Sequence, residues 1–116
     1  MSTLKVGTIQ NASGVEVYTA KAWVNFNGTG TVAIRASGNV TSITDNGVGD
    51  YSINLTTAIA DNLYAVNVTC RGQSDTDASS TIGGVGVITT TVARVYTKNG
   101  VNNLVDSSAV CVSIFR

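Results

Sequence analysis

The acidic side chains are the residues of this 116-residue sequence that could carry out acid–base chemistry, because the sequence contains no histidine. Two carboxylates flanking a sugar linkage can hydrolyse a glycosidic bond. Most of the acidic residues lie in predicted turns, where Asp bonds the local backbone, and the commonest general base is missing. We therefore expect no enzymatic activity. The carboxylates that would have to form such a pair are Glu16, Asp45, Asp50, Asp61, Asp75, Asp77 and Asp106.

Two further patterns begin as ligand-binding motifs do but do not complete them. Asp75 and Asp77 have the alternate spacing that calcium-binding loops use, but the bidentate Glu of an EF-hand loop does not follow. The glycines of residues 82–86 lack the lysine and the following helix of a phosphate-binding loop. A solvated loop and a bend in a strand are the simpler interpretations. We expect neither a metal ion nor a cofactor.

The segment 72–80 contains no large apolar side chain and is the best candidate for a long exposed loop. Binding residues are found disproportionately on loops that a rigid scaffold positions. If the protein contacts a receptor or another chain, the sequence predicts that contact here. The candidate contact residues are Gln73, Ser74, Asp75, Thr76 and Asp77.

Cysteine use and charge restrict the cellular setting and the partners. Cys70 and Cys111 are too few to form the disulfide framework of a small secreted domain, so two free thiols are the simpler interpretation and a disulfide stays open. Seven Lys and Arg balance seven Asp and Glu, and the basic residues are scattered singly, unlike the basic face of a nucleic-acid-binding protein. We expect no nucleic-acid partner.

Hydropathy along the chain argues against a membrane segment. No apolar run approaches the ~20 residues that span a bilayer, and the first residues lack the apolar stretch of a signal peptide. We expect no membrane insertion, and we expect synthesis and folding in a cytoplasm.

Short strands separated by Gly and Asx turns must position all of these side chains. Residues 21–26 and 31–36 flank Asn27-Gly28-Thr29-Gly30, which is typical of a β-hairpin because glycine accepts positive φ in tight turns. Residues 40–44 and 50–55 flank a second turn cluster and predict a second hairpin. No segment has a helical period.

The second half of the sequence continues this pattern. Residues 63–70 alternate apolar and polar side chains, a glycine-rich strand opens at Ile82 and is predicted to extend through Thr89 to Thr97, and the chain closes with an alternating strand at 108–115. About seven or eight strands predict an all-β fold, an antiparallel β-sandwich or jelly-roll-like domain. We expect residues 1–20 to form an N-terminal arm with a first short strand, and residues 21–116 to form the single sandwich domain.

Alternation within the strands predicts the core. The sole tryptophan, Trp23, could be a platform on which a carbohydrate stacks, but a lone Trp on an apolar strand is more often buried. The expected core residues are Trp23, Phe26, Val32, Ile34, Tyr51, Ile53, Leu55, Tyr64, Val66, Val68, Val110, Val112 and Ile114.

Composition favours assembly into an oligomer. Small Val and Ala side chains supply most of the apolar content, so each buried residue removes little area from water. Charged residues form only 12% of the sequence, and no proline protects a strand edge. Contacts between subunits would cover both the edges and the poorly charged surface.

Four segments of the sequence resemble modules of bacteriophage tail-fibre proteins, especially from phages of aquatic bacteria. They are LKVGTIQNASG at 4–14, AWVNFNGTGTVAIRA at 22–36, ITDNGVGDYSINL at 43–55 and VCVSIFR at 110–116. The resemblance implies a homotrimeric structural protein of the virion, assembled in the host cytoplasm, that contacts other virion proteins. A fibre tip would also contact the host surface, through a glycan. The alternative is a capsid decoration or cement protein that stabilises the phage head.

Overall fold

The protein folds into two antiparallel four-stranded sheets that pack face to face. The computed structural model describes residue 3 and residues 5–72 and 81–116, and these contain eight strands and no helix. The first sheet has the order β2-β1-β8-β5 and the second the order β3-β4-β7-β6. This confirms the predicted antiparallel β-sandwich. The strands are β1 Ala22–Asn27, β2 Ala33–Gly38, β3 Val40–Gly47, β4 Asp50–Leu55, β5 Ala65–Cys70, β6 Thr81–Ile88, β7 Val92–Asn99 and β8 Val110–Phe115.

Both predicted hairpins form, and an Asx side chain closes each turn. After β1, the Asn27 Oδ1 accepts hydrogen bonds from the backbone N–H of Thr29 at 3.0 Å and from its hydroxyl at 2.7 Å. At the end of β3, the Asp45 Oδ1 accepts from the N–H of Gly47 at 3.1 Å, and Gly49 in the turn has a φ of 64°. Side-chain acceptors of this kind fold the backbone locally.

The prediction of one continuous strand from Ile82 to Thr97 is wrong. β6 and β7 are two antiparallel strands joined by a tight turn at Thr89–Thr91. The Thr89 N–H donates to the Val92 carbonyl at 2.8 Å, and the Thr89 hydroxyl oxygen accepts from the Val92 N–H at 3.1 Å. Threonine suits a strand through its β-branch and a turn through its hydroxyl, so composition alone did not separate the two.

The core lies between the two sheets and is built by alternate residues of the inner strands. Of the expected core, the side chains of Phe26, Tyr51, Ile53, Leu55, Tyr64, Val110, Val112 and Ile114 are buried. Those of Val32, Ile34, Val66 and Val68 are partly buried and pack against this cluster.

Trp23 is a correction to the expected core, because its side chain is 45% exposed. Ala22, Val24 and Phe26 point inward, opposite Ile114, Val112 and Val110 of β8. Since successive strand residues point to opposite faces, the inward position of Phe26 requires Trp23 to point outward. Period-two counting from Phe26 was the sequence signal that would have placed it.

The two thiols lie on opposite faces of the first sheet. Cys70 pairs with the buried Val110, whereas Cys111 pairs with the exposed Thr69 on the neighbouring strand. Directly paired residues point to the same face, so Cys70 points inward and Cys111 outward. Both are free, and burial raises the pKa of the Cys70 thiol.

A buried tyrosine joins three distant parts of the chain at one end of the sandwich. The Tyr51 hydroxyl lies 2.9 Å from the Gly28 carbonyl and 3.0 Å from the Asp106 carboxylate, which also accepts from the Gly49 N–H at 3.0 Å. A side chain at Gly28 would overlap this hydroxyl. Burial, and then the hydrogen bond with Asp106, raise the pKa of Tyr51 above its ordinary value.

We expect Tyr51→Phe to lower the free energy of unfolding by about 1–3 kcal/mol, because it removes the hydroxyl that bonds the Gly28 carbonyl and the Asp106 carboxylate. The unfolded chain ionises this tyrosine near pH 10, while the folded chain keeps the proton. Stability from this group is therefore complete below about pH 10 and is lost as the pH rises further. Urea unfolding between neutral and alkaline pH should show a shallower alkaline decline in Tyr51→Phe than in the unaltered protein.

Tyr96→Phe is the matched control for this experiment. Within the described part of the chain the Tyr96 hydroxyl makes no hydrogen bond, so its loss should change the unfolding free energy by less than about 0.5 kcal/mol. Equal losses for the two variants would contradict the role given to the Tyr51 hydroxyl.

Candidate functional site

Two of the carboxylates that were weighed as a catalytic pair, Asp50 and Asp61, each form an ion pair with an arginine. Asp50 and Arg94 form a two-point ion pair at 2.9 and 2.6 Å, and Asp61 and Arg116 form another at 2.8 Å. The Arg94 guanidinium lowers the pKa of Asp50, and the Arg116 guanidinium lowers that of Asp61 to about 2. Acids held in this way are poor proton donors near neutral pH.

The remaining acidic candidates that the structure describes lie in separate places. Glu16 lies in the exposed N-terminal segment, Asp45 closes a hairpin turn and Asp106 belongs to the Tyr51 network. Among residues 3, 5–72 and 81–116, no three His, Cys, Asp or Glu side chains are grouped as a metal site would need. Asp75 and Asp77 lie outside the described residues, as does the rest of the candidate contact loop, Gln73, Ser74 and Thr76.

The outer face of the first sheet carries ten uncharged residues in three cross-strand rows, and we call these residues the Trp23 face. Two arginines lie at its margin, Arg35 against Asn25 and Arg71 beside Thr69. The strand register gives two complete rows across the sheet and a shorter third row. Small side chains surround two aromatic ones, of which Trp23 is 45% and Phe115 39% exposed. The rows are Gly38, Trp23, Ser113 and Asn67; Ala36, Asn25, Cys111 and Thr69; and Phe115 and Ala65.

The absence of a side chain at Gly38 makes room for the indole of Trp23. Gly38 is the β2 partner of Trp23, and a Cβ on it would overlap the indole Nε1. The indole therefore occupies the space above the backbone of β2 that any other residue would fill. A glycine in a strand commonly marks such a close approach.

A shallow depression of about 400 Å³ lies beside the indole. Its polar lining consists of the side chains of Asn25, Asn67, Thr69 and Ser113. Within the described part of the protein, the side chains of Asn67, Thr69 and Ser113 make no hydrogen bond. Their donors and acceptors are free to bond a ligand, while an acid–base reaction has no titratable carboxylate or imidazole here.

On the outer face of the second sheet, the polar side chains are already hydrogen-bonded. There the Asn54 amide donates to Ser42 at 3.1 Å and to Thr44 at 2.9 Å, and the Asn46 amide donates to Ser52 at 2.8 Å. Its polar side chains already bond one another, so a ligand would have to replace existing bonds.

The N-terminal segment, residues 5–20, is an exposed apolar surface, which we call the arm. Gln10 and Glu16 form an antiparallel bridge, and the Asn11 Oδ1 accepts from the N–H groups of Ser13 and Val15 in the turn between them. Every residue of the arm is exposed. Its exposed large apolar side chains are Val6, Ile9, Val15, Val17 and Tyr18, which are 44–76% accessible to solvent.

Comparison of the chain with models of protein families, with curated proteins and with solved structures finds no match. In the described ranges, no helix is long and apolar enough to cross a membrane.

We expect Gly38→Ala to displace the indole of Trp23, because the added methyl group takes its space. The sole tryptophan makes this visible as a change in the emission maximum of the folded protein. Gly84→Ala is the matched control, since the nearest atom to its new Cβ is 4.0 Å away, on Tyr96. Unchanged emission in Gly38→Ala would contradict the packing of the indole over β2.

Proposed function

We propose that this chain is an oligomeric structural component of a bacteriophage particle, a tail-fibre or fibre-tip module that contacts the host surface. The resemblance of its segments 4–14, 22–36, 43–55 and 110–116 to tail-fibre modules supports the phage context. The arrangement of its carboxylates supports a role without catalysis. A sandwich with an uncovered apolar arm suits a subunit that other chains surround.

The exposed arm is the observation on which the assembly depends most. A large apolar side chain contributes about 1.5–3 kcal/mol when it is fully buried, and the arm leaves Val15, Val17 and Tyr18 largely in water. A neighbouring copy can cover these side chains, and the resemblance indicates three copies. Such coverage also suits a small domain, because a small domain buries a smaller share of its own surface than a large one does.

We expect the unaltered chain to be a trimer in solution at micromolar concentration. Val15→Asp with Val17→Asp should shift it to the monomer, because two charges would have to enter the apolar contact. Light scattering coupled to size exclusion gives the mass directly. Thr8→Asp with Thr19→Asp adds the same charge to exposed polar positions of the arm and should leave the trimer intact. A monomeric unaltered chain would contradict the proposal.

The position in the particle is tested by immunogold labelling of intact virions. Gold at the distal ends of tail fibres is the expected result. Gold distributed over the head would overturn the fibre assignment and would favour the alternative, a decoration or cement protein whose arm clamps neighbouring capsid subunits.

A further inference from the structure

We propose that the Trp23 face binds a neutral carbohydrate, with the indole as the stacking platform and the neighbouring Asn, Ser and Thr side chains as the hydrogen-bonding groups. This inference rests on the proposed function and deepens it, because it assigns the glycan contact of a fibre module to named residues. It also moves the contact from the loop at 73–77 to the flat side of the sandwich.

The indole provides the apolar half of the site. A pyranose ring has C–H groups on its face and hydroxyl groups around its rim, so it pairs a flat apolar surface with surrounding polar groups. Trp23 is nearly half exposed while its ring is held against the backbone at Gly38. A platform that is already fixed loses little side-chain entropy when a ligand binds.

The free polar side chains provide the other half. Ser113 is the direct cross-strand neighbour of Trp23, and Asn67 follows on the next strand of the same row. Because adjacent strands lie about 4.8 Å apart, this row extends the site by roughly 10 Å, about the length of two sugar rings. An amide both donates and accepts, and so does a hydroxyl group, which matches the mixed donors and acceptors of sugar hydroxyls.

The bonding groups of the face suit a neutral ligand. All ten residues of the Trp23 face are uncharged, and the Arg35 guanidinium at its margin already bonds the Ser108 carbonyl at 2.6 Å and the Asn25 Oδ1 at 3.4 Å. Binding should therefore be insensitive to salt, since no ion pair contributes to it.

A second protein chain is a poorer match to this surface. Stable interfaces between chains bury roughly 800 Å² on each partner around an apolar centre. The middle of the Trp23 face is instead formed by Ser113, Cys111 and Asn25, and it is a depression. The apolar contact that an oligomer needs is available on the arm.

The sole tryptophan allows a direct test, because its fluorescence reports only this face. The purified chain is titrated with three neutral oligosaccharides, maltohexaose, cellohexaose and chitotetraose. We expect at least one to change the emission saturably, with a dissociation constant that varies less than about twofold between about 0.05 and about 0.5 M salt. Asn67→Ala should weaken that binding about tenfold, as the loss of a well-used hydrogen bond does.

Two further variants separate the alternatives. Asn54→Ala, the matched amide on the other outer face, should leave the dissociation constant unchanged. Trp23→Ala, followed by calorimetry because it removes the fluorophore, should abolish heat of binding and keep the trimeric mass.

Three outcomes would overturn the inference. The first is unchanged emission with all three sugars up to about 10 mM, a concentration that detects even weak single sites. The second is equal loss of affinity in Asn54→Ala and Asn67→Ala. The third is dissociation of the oligomer in Trp23→Ala, which would mean that a second copy covers the face. A trimer located on the fibre that binds none of the sugars would contradict this inference and leave the proposed function in place. A monomer that binds one of them would contradict only the proposed assembly.

Discussion

The buried hydroxyl of Tyr51 is the interaction on which the arrangement of the two sheets depends. Tyr51 belongs to the second sheet, Gly28 follows the last residue of β1 in the first sheet, and Asp106 lies in the connection between β7 and β8 that crosses from one sheet to the other. One side chain thus fixes three segments that are far apart in sequence. Its ring packs edge-on against Phe26 at 5.1 Å, so the same residue fills the core and closes its end.

This constraint leaves little room for larger side chains at neighbouring positions. The Gly28 N–H donates to the Ser107 carbonyl at 2.9 Å, and a Cβ at Gly49 would overlap the Thr97 carbonyl. Backbone segments that approach this closely can satisfy their polar groups without water only if both glycines are kept. Apart from Gly38, which lies beside the indole of Trp23, most positions on the outer faces are under no such restriction, because their side chains meet solvent. They are therefore where the sequence can vary in chemistry while the sandwich stays the same.

The sequence predicted what local chemistry controls and missed what distant contacts control. Asn27 and Asp45 indicated their hairpins, because an Asx side chain bonds the backbone two residues later. Thr89 led to the wrong prediction of one continuous strand, because a β-branched residue with a hydroxyl suits a strand and a turn equally well. Trp23 was misplaced by its residue type, although the alternation counted from Phe26 placed it outside. The contact between Tyr51 and Asp106 had no local signal, because 55 positions separate the two residues. Nor could the Trp23 face be seen before the order β2-β1-β8-β5 was known.

The two outer faces differ in what a ligand could gain from them. On the second sheet, a ligand group that bonds Asn54 must first displace Ser42 or Thr44, so the net gain is small. On the Trp23 face, a ligand that bonds Asn67 or Ser113 has to displace only water, because these side chains bond no other side chain among the described residues. Phe115 at its margin lies beside Tyr18 and Thr19 of the arm, so the proposed assembly through the arm would set the relative orientation of the proposed sugar sites. Weak sites that are held in one orientation on three copies bind a repetitive surface far more tightly than one site does. The shallow, neutral sugar site would bind weakly by itself and needs several copies to hold a surface. Assembly through the apolar arm would supply those copies.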